Sequence, residues 1–218
     1  MSILTENQKK ILALIGGDDS IAASFYLSGG TALAEYYLHH RLSEDLDFFS
    51  EQEFDPQAVS AFFKKIQGKA DITAVTYEQS FNRNLFFLNI GTERIKTEFT
   101  YFPFPRIGQG PIVGKLSIDS LFDIAVNKIF TIYQKPRSRD FIDLYCILQK
   151  EKDWTINGLI EKTQIKFDNF IDPIQLGGQF VKAETLKDYP KMLQKLPESE
   201  WQNFFISEAK RLAKEQLE

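Results

Sequence analysis

Asp45 and Asp47 stand two residues apart in the run Arg41-Leu42-Ser43-Glu44-Asp45-Leu46-Asp47-Phe48-Phe49. In a strand, residues i and i+2 share a face. The two carboxylates therefore project together while Leu46 and Phe48 point into the protein. Carboxylates this close repel unless protons or cations hold them. Hard, oxygen-seeking Mg²⁺ is the natural cation, with Mn²⁺ as an alternative. One short helix upstream lies Ser28-Gly29-Gly30-Thr31. It reads as a strand entering a glycine turn that opens a helix, a resting place for a phosphate, with Ser28 and Thr31 supplying hydroxyls. Together the two runs describe a site for a metal-bound phosphate ester.

Further candidates lie downstream. Glu98 shares a strand face with Lys96 and Thr100. It becomes a third carboxylate of the acidic cluster if its strand lies beside Asp45-Leu46-Asp47, and is otherwise an exposed glutamate paired with Lys96. Lys128 interrupts an apolar helix, either as a snorkelling surface lysine or as a cation for a triphosphate or leaving pyrophosphate. Lys135, Arg137 and Arg139 surround Asp140 and Asp143, an arrangement that suits a solvated Arg–Asp network or a basic rim for nucleotide or acceptor RNA. Asp140 and Asp143, three apart, fall on neighbouring positions of one helical face. His39 and His40 are adjacent and poorly placed to share a metal, which argues against zinc. A Walker A lysine pattern, a dinucleotide fingerprint and a nucleophile elbow are all missing from the sequence.

These residues need elements to position them. Thr5-Glu6-Asn7-Gln8 has the form of a capping box, and Gly16-Gly17 stops the helix that follows. The apolar, aromatic stretch 22–27 predicts a strand, 31–40 a helix and 46–49 the next strand. Asp55-Pro56 places an N-cap before proline at the first helical position, starting a helix to about residue 67. Strands are predicted over 72–77, 85–90 and 94–102, the first two separated by a polar turn at 79–84. A loop with Pro103, Pro105, Gly108, Gly110 and Pro111 marks a domain boundary near residue 110. Helices are then expected from Asp119, as N-cap, to about 133, and over 139–149, 155–170 and 200–217. Asp172-Pro173, Gly177-Gly178 and Tyr189-Pro190 suggest less regular structure between the last two. The chain thus divides into 1–110 and a mainly helical 111–218.

The chain has 218 residues, enough for a real core in one domain or two small ones. Its net charge of −4 supplies no global basic field for nucleic acid, although a local patch suffices for an RNA substrate. The single cysteine, Cys146, excludes an internal disulfide and a multi-cysteine zinc site; its apolar helical surroundings predict a buried structural thiol. With no signal-peptide core and no apolar run approaching a membrane span, a cytoplasmic protein without a membrane partner is expected.

The stretches Ser28-Gly29-Gly30-Thr31-Ala32-Leu33-Ala34, Arg41 through Phe49, and Arg139-Asp140-Phe141-Ile142-Asp143-Leu144-Tyr145 resemble the DNA-polymerase-β-type nucleotidyltransferases. More narrowly, they resemble the abortive-infection toxin nucleotidyltransferases of type IV toxin–antitoxin systems. The resemblance covers about residues 25–148. It implies an α+β fold: a small mixed β-sheet flanked by helices, followed by a mainly helical C-terminal part that contributes to the active-site cleft. It further implies that Gly29, Gly30 and Thr31, with Ser28, hold nucleotide phosphates and that Asp45 and Asp47 bind Mg²⁺. Lys128 and either Asp140 or Asp143 become active-site members. Arg41, Ser43, Arg137 and Arg139 are the further candidates for nucleotide contact. Glu98 is the best candidate for the third polymerase-type carboxylate, one methylene longer than the usual aspartate. The implied reaction moves a nucleoside monophosphate from an NTP to a tRNA or protein hydroxyl, with a cognate antitoxin as partner. A non-catalytic nucleotide- or partner-binding module and an antibiotic-type small-molecule nucleotidyltransferase are the alternatives.

Overall fold

The computed structural model describes residues 2–215. The chain divides into two compact units, one of residues up to 37 with 43–120, the other of residues 38–42 with 121 onward.

The first unit is built on a seven-stranded mixed sheet. Its elements are α1 (Glu6–Gly16), α2 (Asp19–Ser24), β1 (Tyr26–Ser28), α3 (Gly29–Leu33), β2 (Leu46–Ser50), α4 (Pro56–Ile66), β3 (Ile72–Ser80), β4 (Arg83–Ile90), β5 (Glu93–Tyr101), β6 (Ile112–Val113) and β7 (Leu116–Ile118). The strands are ordered β3-β4-β5-β2-β1-β7-β6. β2 runs parallel to β5 and antiparallel to β1. The α+β class with a mixed sheet and following helices is as expected.

Alternation decides what each face of this sheet does. Leu46 and Phe48 are fully buried on one face, whereas Asp47 and Phe49 are half-buried on the other. Phe48 stacks on Phe99 with ring centroids 4.8 Å apart, and Phe63 of α4 closes over Phe86 at 5.3 Å. Burying one such ring is worth about 1.5–3 kcal/mol. A one-residue slip of β2 would turn Phe48 to solvent, so the force that buries it also fixes Asp47 on the opposite, polar face.

Three local expectations change. The stretch 22–27 is not one strand: Asp18 accepts the Ser20 and Ile21 N–H groups and starts α2, so β1 begins only at Tyr26. The helix expected from 31 starts at Gly29 and passes into a π-helical turn over Ala34–Leu38. The turn between β3 and β4 is only Phe81-Asn82, which makes Arg83 and Asn84 strand residues.

The second unit is helical: α5 (Leu121–Gln134), α6 (Ser138–Lys150), α7 (Ile156–Phe167), α8 (Pro173–Val181) and α9 (Glu198–Glu215). Its core gathers Phe141, Phe180, Trp201 and Phe205, all essentially inaccessible. The irregular structure expected around residue 173 is instead α8. Asp172 caps it by accepting the Gln175 N–H, with Pro173 at its start. A Cβ on Gly177 would sit 3.5 Å from the Ala209 carbonyl of α9, in ordinary contact. A larger side chain there would separate the two helices. Asp123 and Lys166 form a fully buried ion pair at 2.7 Å between α5 and α7, which the sequence pattern did not single out.

Candidate active site

In the first unit the glycine turn and the acidic strand meet. β1 pairs with β2 so that Ser28 lies opposite Asp47. Gly29 follows with φ +72°, a left-handed conformation that glycine tolerates and that strains a residue carrying a Cβ. A Cβ built on it would stand 2.6 Å from Asp47 Oδ2, so only glycine lets the carboxylate come this close. Gly29 and Gly30 are half-buried and open α3, whose first N–H groups lack intrahelical partners. Ser28 does not cap them, because its hydroxyl donates to Asp119 Oδ2 at 2.6 Å.

The two hydroxyls expected at a nucleotide are thus committed inside the fold. Thr31 is fully buried and donates to the backbone carbonyl of Asp45, tying α3 to the entry of β2. Of the run Ser28–Thr31, the glycine backbone between the two committed hydroxyls is the part left half-buried. The carbonyl that Thr31 engages belongs to one of the two aspartates, so this bond helps place the acidic pair.

On the other side of Asp47, β5 runs parallel with Glu98 in register beside it. The expected adjacency of Glu98 holds, but its partner is not Lys96. Lys96 Nζ reaches Asp45 Oδ2 at 2.7 Å. Glu98 is gripped from β4 by Arg83, with Nε to Oε1 at 2.6 Å and Nη2 to Oε2 at 2.5 Å, and it accepts the Thr100 hydroxyl at 2.9 Å. Glu98 and the nearby Asp47 and Asp45 charges hold the Arg83 guanidinium above its ordinary pKa. Among the described residues, no three or more His, Cys, Asp and Glu side chains are grouped to hold a metal. Asp45, Asp47 and Glu98 thus do not make such a group; Lys96 is paired with Asp45 and Arg83 with Glu98. Sequence reasoning missed Arg83 because it was assigned to a turn. A two-residue hairpin would have placed it opposite Thr100.

Mg²⁺ commonly takes only one or two carboxylates, with water and substrate phosphates completing its octahedron. Hard oxygen donors from Asp47 and from the Asp45 oxygen that Lys96 does not engage, with the space kept clear by a missing Cβ at Gly29, fit that requirement.

The second unit also holds a charged cluster. Asp143 is fully buried and accepts from Arg41 Nε at 2.6 Å, Arg41 Nη2 at 2.8 Å and His40 Nε2 at 2.8 Å. Lys128 Nζ lies 2.6 Å from Asp143 and 2.7 Å from Asp140. Burial pushes the Asp143 carboxyl up, but Lys128 and Arg41 outweigh it and hold the group well below the usual carboxylate range. Burial works against the Lys128 ammonium, yet Asp140 and Asp143 keep its pKa raised. Lys128 is thus a buried ion-pair lysine and not a snorkelling one. Arg41, expected at a nucleotide, is only 2% exposed and committed to Asp143. Asp140 also accepts the Arg137 N–H at the start of α6. Arg137 is exposed, and Arg139 and Ser43 are half-buried. His40 carries no local sequence signal for its bond to Asp143. Cys146 is half-buried, and burial is the main reason its thiol is pushed up to about 12.

A glycine turn pressed against a strand aspartate, on a mixed sheet followed by helices, is the framework of a nucleotidyl-transferring enzyme. The chain belongs to the nucleotidyl transferase AbiEii toxin family of type IV toxin–antitoxin systems, whose sequence profile matches residues 13–211. It is 31% identical to aq_aa25 of Aquifex aeolicus, an uncharacterized protein, over 153 residues that span 68% of this chain and 69% of that one. Its fold is similar to the crystal structure of JHP933 from Helicobacter pylori, with a TM-score of 0.58 at 20% identity over 97% of this chain and 94% of that one. A second H. pylori structure, provisionally described as a nucleotidyltransferase, gives a TM-score of 0.57 at 20% identity over 99% of both chains. Among the described residues, no helix is long and apolar enough to cross a membrane.

Proposed function

We propose that this toxin-family nucleotidyltransferase uses Mg²⁺, or Mn²⁺ in its place, to move a nucleoside monophosphate from an NTP to a tRNA or protein hydroxyl, and that a cognate antitoxin opposes it in the cytoplasm. The observation that supports this reading is the close approach of the Asp47 carboxylate to Gly29, where a Cβ would stand 2.6 Å from Oδ2. Asp45 and Asp47 would hold the ion, which supplies charge neutralisation at the phosphates. The Gly29 and Gly30 backbone N–H groups hold the β- and γ-phosphates. Thr31 and Ser28 keep the turn and the acidic strand in register. As the acceptor hydroxyl bonds to the α-phosphorus, its proton passes to water, the α–β bridge breaks and pyrophosphate leaves. Lys128 and Asp143, by family resemblance, also serve transfer, with Asp140 holding Lys128 and with Arg137, Arg139 and Ser43 as candidate substrate contacts.

The direct test is incubation with each of four α-labelled NTPs, total tRNA and cell protein. Label should enter a macromolecule with at least one NTP. Chelation with EDTA should stop it and added Mg²⁺ or Mn²⁺ should restore it. Equal labelling in excess EDTA would remove the metal from the mechanism, and no labelling with any NTP would overturn the proposal.

A further inference from the structure

We propose that Glu98 is a positioning residue whose work is to aim Arg83, and that Arg83 binds a phosphate group of a substrate. This rests on the reading of the polar sheet face as a nucleotidyl-transfer site and adds a binding residue to it.

The register supplies the first observation. Glu98 lies beside Asp47 on the sheet, Leu85 of β4 lies across from Glu98, and Arg83 lies across from Thr100. All share the face that carries Asp47. The second is the fork itself. Both carboxylate oxygens of Glu98 are engaged by the Arg83 guanidinium, and the Thr100 hydroxyl adds a further bond to one of them. The Glu98 side chain is 7% exposed and that of Arg83 46%. The carboxylate is thus enclosed by its partners while the guanidinium reaches solvent.

The third is what the fork leaves over. Among the described residues, Arg83 donates through Nε and Nη2 to Glu98, and Nη1 has no hydrogen-bond partner. A planar guanidinium held along one edge presents its remaining N–H groups in a fixed direction, the geometry that suits a phosphate oxyanion. The Arg83 fork and the Thr100 hydroxyl already use three of the roughly four lone-pair positions of the Glu98 carboxylate. A phosphate arriving at Nη1 leaves the fork intact. NTP and nucleic-acid acceptor both carry phosphate, and the two can be separated experimentally.

The experiment uses the full chain and its Glu98→Gln, Arg83→Met and Lys65→Met variants. Lys65 is an exposed lysine on α4, so its loss removes the same charge elsewhere. Mn²⁺ binding is followed by electron paramagnetic resonance of the free ion. In saturating Mn²⁺, affinities are then measured for inorganic tripolyphosphate and for a single-stranded RNA hexanucleotide. Glu98→Gln should bind Mn²⁺ within about twofold of the parent, below the roughly tenfold minimum expected even for an outer-shell partner of a metal. Arg83→Met should weaken tripolyphosphate or RNA by about tenfold, as loss of a charge-assisted contact does. Glu98→Gln should weaken the same anion less, and Lys65→Met should leave it unchanged. A loss with tripolyphosphate assigns Arg83 to the NTP, and a loss with RNA alone assigns it to the acceptor. A tenfold or larger fall in Mn²⁺ affinity for Glu98→Gln overturns the proposal. So do anion affinities that Arg83→Met changes no more than Lys65→Met does. If Arg83→Met fails to fold, Arg83→Lys keeps the charge without the fork and should still weaken the same anion. Asp47→Asn is titrated alongside: unchanged Mn²⁺ binding there would refute the site reading itself, independently of the Arg83 result.

Discussion

At the scale of single residues, Gly29 of the first unit and Asp143 of the second are each tightly constrained. Gly29→Ala must place a methyl group 2.6 Å from the Asp47 carboxylate at φ +72°. It should cost about 1–3 kcal/mol of stability and displace Asp47, so thermal unfolding should shift down while nucleotidyl transfer falls more than stability alone explains. Asp143 has a native pKa depressed below the ordinary 3.8. Its stabilising contribution is therefore full above that value and is lost as pH falls toward and through the native pKa. Asp143→Asn should destabilise the chain by about 3–5 kcal/mol near neutrality, because Arg41 and Lys128 lose a buried countercharge. The gap between parent and variant should narrow in denaturant titrations below pH 4. A constant gap down to pH 2 would mean that the cluster does not depress Asp143. At this scale the sequence was informative about identity and poor about partners. The spacing of Asp45 and Asp47 declared a shared face. Nothing local announced that Glu98 would face Arg83, or that Asp143 would gather His40, Arg41 and Lys128 from distant positions.

At the scale of elements, the site depends on how β2 is seated. Phe48 locks the strand from below through Phe99, and Thr31 locks its entry from α3. Phe48→Ala should cost about 3–5 kcal/mol. Thr31→Val keeps the shape and removes the hydroxyl bond to the Asp45 carbonyl. It should cost about 0.5–1.5 kcal/mol, the net worth of an ordinary hydrogen bond, and it should lower transfer without touching a phosphate. Equal transfer in Thr31→Val and parent would show that the strut does not place the acidic pair. Helices with amphipathic runs and caps were legible, as α1 and α4 show. Failures came where two signals competed. Asp172-Pro173 starts α8 by the same chemistry that starts α4, but Gly177-Gly178 suggested irregular structure. Packing against α9 overrides the glycine penalty there, with Phe180 and Phe205 at 5.1 Å. At 22–27 the aromatic residues suggested a strand, and the Asp18 cap outweighed them.

At the scale of the whole molecule, the order of the motifs along the chain carried the family, because each motif alone is common. The polar face of the first unit carries the glycine turn, Asp45, Asp47, Glu98 and Arg83, while the second unit encloses its own charged cluster around Asp143. The measurement that bears most directly on this account compares label transfer from the preferred α-labelled NTP by the parent, Asp45→Asn and Asp47→Asn, with thermal unfolding run on the same samples. Both variants should unfold within a few degrees of the parent, since neither carboxylate packs in the core. Both should transfer label more than about a hundredfold more slowly, beyond the loss expected from an outer-shell partner alone. Transfer by folded Asp47→Asn at the parental rate would contradict the claim that the glycine turn and the strand aspartates form the catalytic site.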